Sequence, residues 1–286
     1  MNPFPENLAL LVAGDSLAML TSGLEEAHAA GFRSVQLNFV RHFFTDSELE
    51  SVAIVMKRLG LHAVAAGIYC DLLRPESGHL FGNSVERDLK PMIRRCREFL
   101  GTEIVIAWSG TMADDLLALH PQNSMPESRH RLMANLAKLL PLLRECRVRL
   151  LLEPWHTHVL GSAKHLAEAS GTAPDQLGVV LDAPNFFRNR DDLENHAALL
   201  PVLLETLAPC AGVVHLKDIR YITADKFELP APGKGSINYP LLLKLLRPLW
   251  PRIPFVIEHV LPAESRTPGE FVINHMKAAN YPPALP

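Results

Sequence analysis

The amino-acid sequence predicts an α/β protein folded as a single (β/α)8 barrel, the TIM-barrel architecture. Eight short apolar runs alternate with helix-like stretches along the 286 residues. These runs are almost continuously apolar, which is typical of parallel strands buried on both faces. No linker or shift in composition divides the chain. Eight alternating β and α units in a chain of this length favour one barrel domain spanning residues 1–286.

The main alternative is a doubly wound sheet, because that fold also alternates strands with helices. A dinucleotide-binding sheet of this kind carries G-x-G-x-x-G directly after its first strand. Here the first predicted strand, LALLVA, is followed by GDSLAM, which lacks the motif. The barrel is therefore the preferred prediction.

The predicted strands are short and rich in Val, Ile and Leu, as buried parallel strands are. They lie at about residues 8–13, 33–38, 62–68, 103–108, 148–153, 177–182, 211–216 and 253–258.

The stretches between the strands have the periodicity of amphipathic helices. They lie at about residues 16–31, 47–60, 83–100, 125–146, 162–170, 191–208, 238–249 and 267–279. Gly31 and Gly60 are helix stop signals for the first two. Pro141 and Pro201 are expected to kink or divide the fourth and sixth.

Charge and cysteine usage narrow the classes of function. The net charge of −3 and the pI near 6.5 give no basic field for nucleic acid or an anionic membrane. The four cysteines are scattered with no C-x-x-C pair, which favours reduced thiols and a cytoplasmic location. The N-terminus lacks the basic segment of a signal peptide, and no apolar stretch reaches the ~20 residues that span a bilayer.

Four consecutive predicted strands end in metal-ligand side chains: Glu153, Asp182, His215 and Glu258. Any one of them alone could cap a helix or pair with a cation. In a barrel, however, all strand ends face one mouth, so the four would converge. Three carboxylates and an imidazole at one point repel each other unless a cation compensates them. This mostly oxygen set predicts one divalent ion, favouring Mn²⁺ or Mg²⁺ and compatible with Co²⁺ or Zn²⁺.

The segments LLLEPWH, GVVLDAPN, VVHLKD, APGKGSINY and PFVIEHV occur in this order and resemble the xylose isomerase-like TIM barrels, sugar phosphate isomerases and epimerases. The resemblance covers residues 148–258; the first half matches only in its β/α rhythm. It implies that Glu153, Asp182, His215 and Glu258 bind one divalent metal. It also implies that Glu153 and Glu258 are the acid/base pair. Members are often dimers or tetramers, so a homo-oligomer is an implied partner state.

Two positions depart from the family pattern. Asn185 stands where ketose epimerases of the family have a histidine, three residues after Asp182. Asn38 stands where many members carry a glutamate. The endonuclease branch needs additional histidines for a multi-metal site, so the resemblance to that branch is weaker.

The chemistry that this site predicts is removal of a proton from carbon next to a carbonyl, through an enediolate. Glu153 and Glu258 lie on strands three places apart, so they would reach a small sugar or keto-polyol from different sides. Epimerisation, aldose–ketose isomerisation and dehydration all remain open. The runner-up function is a lyase that dehydrates an inosose or a dehydroshikimate-like keto acid. A non-catalytic sugar-binding barrel is a further alternative.

Other side chains near the predicted mouth are candidates for substrate binding. Lys217 lies on the same side of its strand as His215, and either holds a substrate oxygen or forms a salt bridge to Glu153 or Glu258. His156 is expected to hydrogen-bond substrate, and Asn185 to donate to a sugar hydroxyl. Trp108 either stacks on a sugar or packs a loop.

Three segments nearby have simpler expected roles. His158 and His259 are expected in solvated loops, whereas Arg41 and His42 could reach an anionic substituent. The PGKGS segment at 232–236 is expected to form a turn leading to Asn238 as a helix N-cap, with a phosphate site as the alternative.

Overall fold

Eight parallel strands close into a barrel in the computed structural model, which describes residues 3–40, 44–78, 82–223, 226–250 and 252–282. Each strand pairs with its neighbours in chain order, and the last pairs with the first to close the ring. The predicted (β/α)8 barrel is confirmed. The barrel strands are β1 Leu8–Gly14, β2 Ser34–Phe39, β3 His62–Asp71, β4 Ile104–Trp108, β5 Arg149–Glu153, β6 Leu177–Leu181, β7 Ala211–Leu216 and β8 Phe255–Ile257.

Helices follow the strands and cover the outside of the barrel. They are α1 Leu17–Ala29, α2 Asp46–Leu59, α3 Lys90–Arg95, α4 Pro126–Cys146, α5 Ala163–Gly171, α6 Arg190–Glu194, α7 His196–Leu207, α8 Tyr239–Leu246 and α9 Arg266–Ala278. α2 shows how local sequence sets these bounds. Thr45 and Glu48 form a reciprocal capping box at its start, and Gly60 ends it at a φ of 64°.

Three predicted helices differ in detail from expectation. The stretch predicted at 83–100 contains a π-helical turn on each side of α3. Pro141 does not divide α4, and Pro201 lies within α7. The sixth stretch instead breaks at Asn195, between α6 and α7. Each proline removes only one backbone N–H, and buried leucines beside it keep the helix packed on the barrel.

A layer of apolar side chains fills the interior of the barrel. It consists of Ala9, Ala65, Ile106, Leu151, Val180, Val213 and Val256, and Tyr69 and Trp108 pack on it from the level of Glu153. In the second half of the barrel, the residue two places after each of these apolar residues also points inward, because side chains alternate along a strand. That register places Glu153, Asp182, His215 and Glu258 in one layer directly above the apolar one. No helix in the described parts of the chain is long and apolar enough to cross a membrane.

Candidate metal centre

The four predicted ligand residues meet at the mouth of the barrel. Each offers one ligand atom, and these atoms all lie within 4.8 Å of one another. All four residues are buried, with Asp182 fully enclosed and Glu153 and Glu258 each 5% exposed. The fold therefore brings together the four residues that the sequence had grouped: Glu153, Asp182, His215 and Glu258.

His215 lies with one ring nitrogen facing the three carboxylates. Its Nδ1 is 3.5 Å from Glu258 Oε2, 3.6 Å from Asp182 Oδ2 and 3.9 Å from Glu153 Oε1. Within the described residues, Nδ1 and Asp182 Oδ1 are buried without a hydrogen-bond partner. Buried polar atoms are ordinarily satisfied, so unpartnered atoms in one cluster indicate a missing ligand. The residues therefore fit a bound cation.

Lys217 compensates part of the negative charge of this cluster. Its Nζ donates to Asp182 Oδ2 and, at 2.6 Å, to Glu258 Oε1. Of the two roles considered for Lys217, the salt bridge is present, to Glu258 and also to Asp182, which was not expected. A contact between Lys217 and a substrate oxygen stays a prediction. Burial lowers the pKa of His215, but Glu258, Glu153 and Asp182 outweigh it and raise that pKa to about 9 while no cation is bound. A metal-binding imidazole is neutral, so at an occupied site three carboxylates and one ammonium would leave a charge of −2. That charge matches a divalent ion.

The two glutamates have different environments. Burial raises the pKa of Glu153 to about 7, against the opposing effect of His215. Burial also pushes the pKa of Glu258 upward, but Lys217 and His215 outweigh it and hold that pKa below its ordinary value. Two carboxyl groups with pKa values moved apart can exchange a proton in opposite directions at one pH.

Polar residues from the first half of the barrel complete the surroundings of the cluster. Tyr69 donates its hydroxyl hydrogen to Glu153 Oε2 over 2.7 Å. Gln36 faces His215 Nε2 over 3.0 Å, and Asn38 lies between Gln36 and Tyr69. Sequence reasoning missed Tyr69 and Gln36. A signal was present in β2, where the polar residues Ser34, Gln36 and Asn38 lie on one face and apolar residues on the other.

Asn185 contacts Asp182, one of the four predicted ligand residues. Its Nδ2 donates to Asp182 Oδ2 at 2.8 Å and to Pro154 O at 3.0 Å, so both amide hydrogens are used within the protein. This arrangement leaves no amide hydrogen for a sugar hydroxyl, and the predicted contact of Asn185 with substrate stays a prediction. Its Oδ1 is buried without a partner in the described chain and remains able to accept a hydrogen bond.

The aromatic and histidine predictions have mixed outcomes. Trp108 packs on Tyr69, with ring centroids 4.4 Å apart, and forms an edge contact with His158. The solvated position expected for His158 is wrong. The side chain is buried, its Nε2–H donates to Leu116 O, and burial lowers its pKa to about 4. His259 is exposed, as expected.

Two further predictions concern the loops near the mouth. His156 is half-buried, and its Nδ1 has no partner among the described residues, so its predicted contact with substrate stays a prediction. Arg41 and His42 lie outside the described residues.

The PGKGS segment forms the expected turn. It folds around the buried carboxylate of Asp218, which accepts from the backbone N–H groups of Gly233 at 3.2 Å and Ile237 at 3.0 Å. Asn238 Oδ1 then accepts from Leu241 N at 3.0 Å and caps α8. An internal carboxylate thus occupies these amides, where the alternative interpretation had placed a phosphate.

Comparison with known proteins extends the similarity to nearly the whole chain. The family model described as xylose isomerase-like TIM barrel matches residues 24–273. No curated protein sequence matches significantly.

Solved structures with the same fold share little sequence identity with this chain. A xylose isomerase-like TIM barrel protein from Mycobacterium smegmatis in complex with magnesium is 16% identical, with a TM-score of 0.68 over 98% of this chain and 99% of that one. An L-ribulose 3-epimerase is 16% identical, with a TM-score of 0.70 over 95% of each chain. The probable 3-DHS dehydratase involved in petrobactin synthesis from Bacillus anthracis is 13% identical, with a TM-score of 0.61 over 94% of this chain and 98% of that one.

At these identities the structural matches establish the fold, and the family model establishes the relationship. The chain belongs to the xylose isomerase-like TIM barrel family.

Proposed function

We propose that the protein is a divalent-metal-dependent isomerase or epimerase of a small sugar or keto-polyol. It would remove a proton from the carbon next to a carbonyl. The observation that carries this proposal is the convergence of four buried ligand atoms within 4.8 Å at the barrel mouth. Structures of the same fold include an L-ribulose 3-epimerase, which is consistent with this class of reaction.

Glu153, Asp182, His215 and Glu258 would hold the ion. Three carboxylates and one imidazole form a mostly hard donor set, which favours Mn²⁺ or Mg²⁺. When bound, such an ion supplies positive charge that polarises a carbonyl group and stabilises negative charge developing on its oxygen.

Glu153 and Glu258 would move the protons. Each has one oxygen engaged by the protein: Tyr69 donates to Glu153 Oε2, and Lys217 donates to Glu258 Oε1. These contacts fix the orientation of both carboxylates without using their other oxygens. Because β5 and β8 are three places apart in the ring, the two groups can approach opposite faces of one carbon. Removal of a proton from one face and its return to the other inverts the configuration of that carbon.

Four further residues are proposed to contact or surround the substrate. Trp108 would pack against the C–H face of a sugar, next to Tyr69. His156 and the Oδ1 of Asn185 would hydrogen-bond hydroxyl groups, since both have buried polar atoms without a partner in the described chain. Lys217 is held by Asp182 and Glu258, so its proposed role is to keep Glu258 ionised and in place.

A dehydratase is the alternative that the same carboxylate pair would serve. After the proton leaves, a hydroxyl group on the next carbon would depart as water with a proton from the second glutamate. The similarity in fold to a probable 3-DHS dehydratase is consistent with this reaction. The product of an isomerase or epimerase has the mass of its substrate, whereas the product of a dehydratase is lighter by one water.

The proposal can be tested by incubating the purified protein with Mn²⁺, Mg²⁺ or Co²⁺ in D₂O. Ketoses, keto-inositols and keto acids would be screened by NMR and mass spectrometry. We expect deuterium at the carbon next to the carbonyl in a product isomeric with the substrate. Loss of water would identify the dehydratase instead. If no substrate in these classes exchanges a proton and no divalent ion binds, the proposed function is wrong.

A further inference from the structure

A row of buried side-chain hydrogen bonds crosses the inside of the barrel from Glu153 to His215. Tyr69 bonds Glu153 Oε2 at 2.7 Å, and Asn38 bonds the Tyr69 hydroxyl at 3.2 Å. Gln36 bonds Asn38 Oδ1 at 3.0 Å, and its own Oε1 lies 3.0 Å from His215 Nε2. All of these side chains are buried. We call Gln36, Asn38 and Tyr69 the β2–β3 relay.

The relay has a direction that follows from its charged end. A carboxylate can only accept, so the single hydroxyl hydrogen of Tyr69 points to Glu153. Towards Asn38 the hydroxyl oxygen must then accept, which places the Nδ2 of Asn38 on that side. The Oδ1 of Asn38 consequently faces Gln36 and accepts from its Nε2.

The same logic determines the proton position on His215. With its Nε2 turned to Asn38, Gln36 presents a carbonyl oxygen to the imidazole. A carbonyl oxygen accepts only, so His215 Nε2 must carry a hydrogen. When a cation binds, the imidazole must give up one proton, and because Nε2 keeps its hydrogen on Gln36 Oε1 the lone pair falls on Nδ1, the atom that faces Glu153, Asp182 and Glu258.

We infer that the β2–β3 relay positions His215 for ligation by keeping a proton on Nε2 and reserving Nδ1 for the cation. The inference rests on the proposed metal function. In the same arrangement, the Tyr69 hydroxyl keeps its hydrogen and donates it to Glu153 Oε2, which stabilises Glu153 as a carboxylate. The relay thus couples the proton position of a ligand in β7 to the hydrogen bonding of the proton carrier in β5.

A glycine in β3 makes room for the amide of Asn38. Asn38 in β2 is paired in register with Gly67 in β3. A Cβ at Gly67 would lie 2.2 Å from Asn38 Oδ1, far inside van der Waals contact. Any larger residue at position 67 would displace the amide that links Gln36 to Tyr69. The glycine therefore serves the relay, because it lets the amide lie against the strand.

The test reads the proton on His215 directly, in protein freed of metal. With ¹⁵N-labelled histidine, the His215 Nε2–H should give a slowly exchanging proton signal, identified by its loss in His215→Ala. Gln36→Met keeps the length of the side chain and removes the acceptor. It should accelerate exchange of this proton at least about tenfold and raise the Kd for Mn²⁺ about 10- to 100-fold, the usual effect of removing the partner of a ligating histidine.

Two other variants distinguish the positioning of His215 by these hydrogen bonds from a general loss of structure. Tyr69→Phe keeps the ring beside Trp108 and removes only the hydroxyl, so it should weaken the same proton signal from two side chains away. Gln122→Met makes the same chemical change as Gln36→Met at an exposed residue and should alter neither quantity.

The outcomes distinguish this inference from the proposed function. A wild-type His215 that carries its proton on Nδ1 and not on Nε2 would overturn the relay, even in a protein that binds metal. So would unchanged exchange and unchanged Mn²⁺ affinity in Gln36→Met. Conversely, an Nε2–H signal that depends on Gln36 in a protein that binds no divalent ion would support the relay and reject the proposed function.

Discussion

The two halves of the barrel meet at the same centre and bring different chemistry to it. The second half supplies every ionisable group of the cluster, one from the end of each of strands β5 to β8, together with Lys217. The first half supplies neutral polar groups from β2 and β3: Gln36, Asn38 and Tyr69. One half therefore sets the charge of the centre, and the other sets the directions of its hydrogen bonds.

This division has a physical reason. A buried charge is costly unless it is paired, so each additional carboxylate from the first half would need its own counter-charge. Amide and hydroxyl groups orient ligands at no such cost, provided that their hydrogen bonds are satisfied. Asn38 fits this requirement because an amide, unlike a carboxylate at the same position, leaves the cluster at the charge of −2 that a divalent ion would balance.

The sharpest test of the comparison is to remove proton-carrying capacity from the charged half. Glu153→Gln and Glu258→Gln each keep the shape and one ligand oxygen of the side chain. Turnover should fall by a factor on the order of 10²–10⁴, the usual contribution of general acid–base catalysis. Metal should stay at least partly bound, which direct elemental analysis would check.

A matched control is Glu145→Gln, the same change at an exposed residue of α4, which should leave turnover unaltered. One Gln variant is expected to retain exchange of the proton on the face served by the surviving glutamate, visible as deuterium uptake without product. Near-wild-type turnover in both variants with normal metal content would show that the two glutamates are ligands only.

A second prediction compares a ligand with the residue that supports it. His215→Ala removes one of four ligands and should weaken Mn²⁺ binding more than about 100-fold. This effect would exceed the 10- to 100-fold range typical of a supporting residue. Competition with a chromophoric chelator would measure both Kd values. The exposed His130→Ala is the matched control. Equal losses in His215→Ala and Gln36→Met would remove the distinction between ligand and supporting halves.

The two halves also differ in how much the sequence could predict. A charged residue at the end of an apolar strand is conspicuous, so the four residues of the cluster and the eight strands were predictable from pattern alone. Gln36 and Tyr69 were missed because neutral polar and aromatic residues are common inside strands, and their meaning depends on which strands are neighbours across the ring. Only the closed barrel places Tyr69 beside Glu153, 84 positions away.

His158 was misplaced for a related reason. It lies in the loop after β5, where sequence predicts solvent exposure, but the loop after β4 folds over it. Leu116 O then accepts from its ring, and Trp108 packs against it. Long loops that pack on each other carry no periodic signal, so their burial cannot be predicted from sequence pattern.

This buried histidine gives a prediction on pH. Burial lowers the pKa of His158 to about 4, from an ordinary value near 6.5. Between these values the unfolded chain binds a proton at His158 that the folded protein does not. The contribution of His158 to the free energy of unfolding is therefore complete above pH 6.5 and is lost as the pH falls towards 4. The contribution lost by pH 4.5 should be about 2–3 kcal/mol.

Urea denaturation of the wild type and His158→Gln at pH 7.5 and pH 4.5 would measure this contribution. The wild type should lose more stability than the variant by about that amount, because glutamine does not titrate. An equal loss in both proteins would mean that His158 is accessible to protons in the folded state.

The smallest predicted effect concerns Asn238, a polar residue in the second half of the barrel whose role is structural. Asn238 follows the PGKGS turn and caps α8, away from the ligand cluster. Asn238→Ala should lower the free energy of unfolding by about 1 kcal/mol, the usual loss for an N-cap, without changing the Kd for Mn²⁺ or the turnover. Lys234→Ala, at an exposed position in the same turn, should change none of these quantities. If instead Lys234→Ala lowered turnover on phosphorylated substrates alone, the turn would bind phosphate, and the functional part of the second half would extend beyond its strand ends.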